Sequence, residues 1–380
     1  MNYRLISLVS APFAFGTSAF AFVGLMDPMA ADLQIGVPLV GQLQTVFALA
    51  CAVGGPLLAK AFSRVDRKRL LLTVMLLLCA MSACSALADS FTMLASIRVA
   101  GGLFAALSLP LASTIAIQMV PEEKRPGALA LVLAGYTLAF MIGTPVATLI
   151  GNSLGWEYAF WFAAAISFTA VLFIAVGAPA NIAAPSMEGI SFTQAARGDN
   201  LRLMVITLLG FSATFASVSY IGPVITAFAG LTGSAIGGVQ VAVGIGSLLG
   251  LPAGAWLAKL PPRKALGILF VVMLLTQTMF SYGMLRDLGS LAIPALGIIM
   301  ATGAGALFAT SPVIQTVLAK NAGPAATLAF ALNGSMIYLG QGMGASIGGA
   351  VTAGSSIAWV GCAGAVVAVL GLILTTRLSK

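Results

Sequence analysis

Two features of this chain place ionisable groups inside or between long apolar runs. The first is an isolated charge, Arg98, standing in the run "TMLASIRVAGGLFAALSLP" with no other ionisable residue. A charge at the centre of a membrane helix costs about 2.5–3.5 kcal/mol even on permissive insertion scales, so it needs a partner or a purpose. Six residues past Thr92, it lies ~9 Å below a helix end at 1.5 Å per residue. There it can anchor or snorkel, or it marks a functional site. Asp27, in "FVGLMDPMAADL", is the acid at the most similar depth. It reads either as a proton acceptor paired with Arg98 at an outer gate, or as the loop residue before Pro28. The second feature is "GGPLLAKAFSRVDRKRLLL", Gly54 to Leu72, where five bases and one acid sit between uncharged runs.

Other chemistries are excluded by what is missing. The chain has no histidine, so a catalytic triad has no base and a zinc site lacks its commonest ligand. No P-loop pattern occurs. Cys51, Cys79, Cys84 and Cys362 lie inside apolar runs without metal or disulfide spacing. No enzyme, cofactor or metal is expected.

The elements that must position these residues are membrane helices. Only 7% of the 380 residues are charged and 60% are apolar, whereas a soluble chain is about 25% charged. Breaking the chain at charges and turn residues gives twelve spans: 5–26, 39–60, 70–88, 92–119, 127–150, 158–177, 203–228, 235–258, 265–285, 289–318, 325–350 and 356–376. Each suits the ~20 residues needed to cross a bilayer. Sixteen of the eighteen Lys and Arg residues fall on one side of this layout, while the ten acids split evenly. That side is expected to be cytoplasmic, with both termini inside. The +8 charge therefore reports orientation, and no nucleic-acid partner is expected. The N-terminal apolar run reads as a retained first helix.

An internal repeat is expected to divide the chain into six-helix halves, 1–177 and 203–380, joined by a cytoplasmic linker, 178–202. At an offset of 199 residues, "GPLLAKAFSR" falls on "GAWLAKLPPR", matching Gly55, Lys60 and Arg64 with Gly254, Lys259 and Arg263. The same offset puts Gly135 on Gly334 and Gly143 on Gly342. Parallel repeats suit a transporter whose halves rock about a central site.

These marks resemble the major facilitator superfamily, and within it the drug:proton antiporter, arabinose-efflux-like group. They are the loop after helix 2 (Gly55, Lys60, Arg64, Asp66, Arg67, Lys68), Arg98 with Gly102 in helix 4, and Gly135, Gly143, Pro145 and Gly151 in helix 5. The chain departs from the group at Ala59, Gly101 and Ala19, where an aspartate, a glutamine and often a glutamate stand. Asp66 is the nearest acid to replace the missing aspartate of the loop's charge relay.

The resemblance implies coupling or gating roles for Arg98, Asp27, Gly55, Lys60, Arg64, Asp66, Gly135, Gly143 and Pro145. It also implies a central cavity. Inside the relevant spans, the candidates for contact with a solute are Phe15, Thr17, Phe20, Gln42, Tyr136, Phe211, Thr214, Tyr220, Asn333, Tyr338 and Gln341, with Gln44, Thr137, Ser217 and Gln240 beside them. Each reads equally as an interhelical hydrogen bond. The glycine runs read as close helix packing or as sliding seams. The expectation is an all-α, multi-pass protein of the bacterial inner membrane, a monomer exporting a small neutral or amphiphilic compound (drug, sugar or nucleoside-like) against inward proton flow. A proton-independent facilitator and a transporter-like sensor are the alternatives.

Overall fold

The computed structural model describes residues 3–180, 182 and 196–378, and those residues form helices and turns without a strand. Among the described residues, ten helices are long and apolar enough to cross a membrane. Helix 2 is Val37–Ala61, helix 3 Arg67–Ala86, helix 4 Phe91–Gln118, helix 5 Glu122–Leu154 and helix 6 Trp156–Gly177. Helix 7 is Asp199–Val218, helix 8 Ala235–Leu257, helix 9 Pro262–Leu285, helix 10 Gly289–Ala322 and helix 12 Ile357–Thr375. Helix 1 (Tyr3–Phe20) and helix 11 (Ala326–Gly354) complete twelve passes. Helix 11 is long enough to span but carries Asn333, Gln341 and a series of glycines. Twelve passes return both termini to one face. The expected linker lies mostly outside the described residues, and its last part, from Asp199, already belongs to helix 7.

Four of the passes are interrupted, each at the residue four before a proline. Helix 1 ends at Phe20 and the chain resumes as the short helix Met26–Asp32, with Gly24 in the gap and Pro28 beyond it. Helix 4 breaks at Ala106 and Leu107 ahead of Pro110. Helix 7 breaks at Ser219 and Tyr220 ahead of Pro223, resuming as Ile221–Ala229. Helix 5 widens into a π-turn, Ala139–Gly143, ahead of Pro145. A proline has no N–H for the carbonyl four residues back, and its ring presses on that carbonyl, so the ladder opens there. The sequence singled out Pro145 in helix 5; the breaks in helices 1, 4 and 7 were not expected.

Glycines set which helices touch. A Cβ at Gly135 would strike the Val9 carbonyl and one at Gly143 the Thr17 side chain, which seats helix 5 directly on helix 1. In the second half, Gly340 meets the Leu208 carbonyl and Gly348 the Ala216 carbonyl, which seats helix 11 on helix 7. Val9 and Leu208 do obey the 199-residue offset, but Gly340 and Gly348 each stand six residues past Gly334 and Gly342. The equivalence of Gly135 and Gly143 with Gly334 and Gly342 is thus corrected: the repeat holds, but its register slips between helices 2 and 5. Gly334 has nothing within 4 Å of its Cβ position.

The charged loop after helix 2 is a clasp. Asp66 caps helix 3, accepting from the Arg69 N–H at 2.9 Å, and its other oxygen accepts from the Ile182 N–H at 2.7 Å. The Arg67 N–H donates back to the Ile182 carbonyl at 3.1 Å. Lys68 Nζ donates to the carbonyls of Ala175 and Ala178, both at 2.7 Å, where helix 6 runs out of intrahelical partners. Asp66→Ala is expected to lower stability by about 1–2 kcal/mol through the lost cap, and Asp66→Asn by less. Thermal unfolding in detergent measures this, and a flux loss out of proportion to the stability loss would point to a relay instead.

Candidate functional site

At mid-depth the two halves meet through aromatic rings. From the first half come Phe15 and Phe20 (helix 1), Phe47 (helix 2), and Tyr136 and Phe140 (helix 5). The second half supplies Phe211 and Phe215 (helix 7), Phe308 (helix 10) and Tyr338 (helix 11). Phe15 stacks on Tyr136 with centroids 5.7 Å apart and meets Tyr338 edge-on at 6.0 Å. Phe20 lies 4.8 Å from Phe140 and 5.8 Å from Phe215. Tyr136 and Phe140 both reach Phe308, at 6.2 and 6.0 Å. Such pairs prefer offset and edge-to-face geometries and tolerate exchange for another flat ring. The layer's cross-half polar contact is Gln341 Nε2 donating to the Tyr136 hydroxyl at 3.3 Å.

The sequence candidates separate in space. Phe15, Phe20, Tyr136, Phe211, Tyr338 and Gln341 belong to this layer. Asn333 instead accepts from Thr207 at 2.7 Å, and Ser217 donates to Gln277 at 2.6 Å, both within the second half. Thr17 and Thr214 are buried, with hydroxyls that have no partner among the described residues. Tyr220 and Gln42 lie off the layer: the Tyr220 hydroxyl contacts the carbonyls of Pro38 (3.3 Å) and Ala345 (3.1 Å), and Gln42 flanks Gly349. Phe47, Phe140, Phe215 and Phe308 were missed. Two were within reach of sequence reasoning, since Phe140 and Phe215 stand one helical turn past the chosen Tyr136 and Phe211.

Arg98 is buried and does not pair with Asp27. Its Nη1 donates to the Ser18 carbonyl at 2.8 Å and its Nη2 to the Ala19 carbonyl at 2.6 Å. The break in helix 1 makes those acceptors available, because the Val23 N–H that would have paired with Ala19 turns to Phe20 instead. The guanidinium carbon also stands 4.7 Å from the Phe22 ring centre and 4.6 Å from that of Phe47. Arg98 therefore caps the negative end of helix 1 from a neighbouring helix. Asp27 is exposed in the short helix after the break. Ion pairs among the described residues are Arg125–Glu122 and Arg202–Asp199, each within one helical turn.

Beyond the layer, on the face opposite the termini, the halves are sealed by uncharged groups. Thr148 donates to Gln240 Oε1 at 2.8 Å, joining helices 5 and 8. Gly222 donates to the Val23 carbonyl at 3.2 Å, docking the broken end of helix 7 on that of helix 1. Thr45 and Ser346 bridge helices 2 and 11 at 3.3 Å. The face of the termini carries the charge. Lys60, Arg64, Lys259 and Arg263 are all exposed, and a cavity of about 430 Å³ opens beside Arg197, Asp199, Asn200 and Asn321. A Cβ at Gly55 would meet Ala106 at ordinary distance, whereas one at Gly54 would strike the Leu103 carbonyl, so Gly54 takes the close approach.

A profile of the Major Facilitator Superfamily matches residues 6–326. The chain belongs to the major facilitator superfamily. Among relatives in this superfamily, the inner membrane transport protein YdhP of Escherichia coli (strain K12) is 29% identical over 98% of this chain and 95% of its own. The chloramphenicol resistance protein of Streptomyces lividans is 32% identical over 93% of this chain and 89% of its own. The crystal structure of the nucleoside transporter NupG superposes with a TM-score of 0.76 at 15% identity, covering 100% of both chains. The protein is a multi-pass transporter with the major facilitator fold, and its aromatic layer lies where the two halves of that fold meet.

Proposed function

We propose that this transporter exports small neutral or amphiphilic compounds bearing a flat apolar group, by alternating access between the halves 1–177 and 203–380. The observation that carries this reading is the aromatic layer contributed by both halves, lined with hydroxyls and an amide; its nearest charge, Arg98 behind the Phe47 ring, is already engaged by the Ser18 and Ala19 carbonyls. A flat solute can replace ring–ring contacts there without desolvating a fixed charge. The basic-rich face is cytoplasmic by the positive-inside rule, so the sealed face is the external one, the closure that loading from the cytoplasm requires. Export runs against inward proton flow, with Asp27 as the proton acceptor.

Radiolabelled chloramphenicol, a neutral aromatic amide, is the first probe, motivated by the named relative. In liposomes with an imposed pH gradient, the wild-type protein is expected to move it against its gradient, and Asp27→Asn is expected to leave only downhill flux. A second reading, a proton-independent facilitator, draws on the separation of Asp27 from Arg98. Flux unchanged after collapse of both the pH gradient and the membrane potential would establish it in place of the first.

A further inference from the structure

Behind the Thr148–Gln240 bond lies a cavity of about 20 Å³ between the halves, lined by Phe20, Val23, Phe140 and Thr144 on one side and Val218, Ile221, Gln240 and Val243 on the other. A water needs roughly 10–15 Å³ of such space and two to four polar partners. The partners are present. Gln240 is 2% exposed and Thr144 3%, and Gln240 Nε2 and Thr144 Oγ1 have no hydrogen-bond partner among the described residues. Leaving a buried amide N–H unpaired costs about 1–3 kcal/mol. Turning the amide over would let Nε2 donate to the Thr148 hydroxyl, which accepts as well as donates, but would leave Oε1 unpaired in its place, so the cavity side of the amide lacks a partner either way. The rest of the wall is apolar and offers no anion or cation a counter-charge.

We propose that this cavity is a binding site for one neutral acceptor oxygen, held by the Gln240 amide N–H and the Thr144 hydroxyl across the seam between the halves. The oxygen is that of a trapped water or of a carbonyl or hydroxyl on a solute. Phe20 and Phe140 form the cavity wall and also belong to the aromatic layer, so a flat solute on the layer can place an oxygen into it. Gln240 then binds solute through its nitrogen and latches the external face through its oxygen, which ties recognition to closure. The solute arm rests on the function proposed above; the water arm does not.

The test uses the purified full chain, its Gln240→Leu variant and the near-isosteric Thr144→Val. A solute-free structure at water-resolving resolution is expected to show ordered density bonded to both side chains, lost in either variant. Thermal shift with acetophenone and with ethylbenzene, which differ by one carbonyl oxygen, is expected to favour the ketone in wild type and to show no difference in Gln240→Leu. Density that persists when acetophenone is added assigns the site to water, and density displaced by the ketone assigns it to solute. A wild-type cavity without density, together with equal shifts from the two probes, overturns the proposal. It fails equally if neither variant changes the density.

Discussion

Arg98→Ala is expected to abolish transport and to cost about 2–4 kcal/mol of stability, with Arg98→Lys recovering part of the stability and little of the flux. Two charge-assisted hydrogen bonds hold the Ser18 and Ala19 carbonyls, and each is worth about 1.5–3 kcal/mol net. Relief from burying a charge offsets part of that loss. Lysine keeps the charge, but a single ammonium cannot grip two carbonyls with the fixed fork of a guanidinium. Flux should suffer more than stability because the capped end of helix 1 sets two functional surfaces. One is the pair Phe15 and Phe20 in the aromatic layer; the other is the Val23 carbonyl that receives helix 7. Thermal unfolding and liposome flux on the same preparations check both halves of this expectation. An alanine variant that transports and unfolds like wild type would reduce Arg98 to a snorkelling anchor.

Residue type made Arg98 legible in the sequence, while its partner stayed hidden for a physical reason. Backbone carbonyls are present at every position and become acceptors only where a helix breaks, and the break in helix 1 was not foreseen. Proline alone would not have revealed it. Pro12, Pro56, Pro252 and Pro312 lie inside continuous helices, so neighbouring packing decides whether the ladder opens. The spans themselves were readable because hydrocarbon thickness and charge placement constrain them strongly. Contacts between helices obey a weaker code. Phe47 and Phe308 sit in apolar runs where a ring facing lipid and a ring facing the other half look alike. The repeat was visible, yet one fixed offset could not follow a six-residue slip, and only packing on Val9 and Leu208 located the equivalent glycines.

The seam between helices 5 and 8 predicts the largest conformational effect. A Cβ at Gly244 would fall on the backbone of Met141, inside the π-turn of helix 5, and one at Gly237 would fall 2.8 Å from the Pro145 carbonyl. A backbone cannot move aside as a side chain can, and overpacking of this kind costs about 1–3 kcal/mol. Gly244 faces the other half, so the cost applies only while the seam is closed and disappears when the halves part. A ligand or substitution that penalises one of two states shifts their ratio by that difference, here about 5- to 150-fold at 1.4 kcal/mol per decade. Gly244→Leu is therefore expected to fold normally and populate states with the external face open, whereas Gly238→Ala, with open space at its Cβ, leaves the ratio unchanged. Spin labels at Leu149 on helix 5 and Leu248 on helix 8, both exposed, read the separation by pulsed dipolar spectroscopy. A distance distribution in Gly244→Leu identical to wild type would mean that the glycine seam does not govern closure. A matching shift in the Gly238→Ala control would mean that loss of glycine freedom in helix 8, rather than the clash with Met141, moves the halves apart.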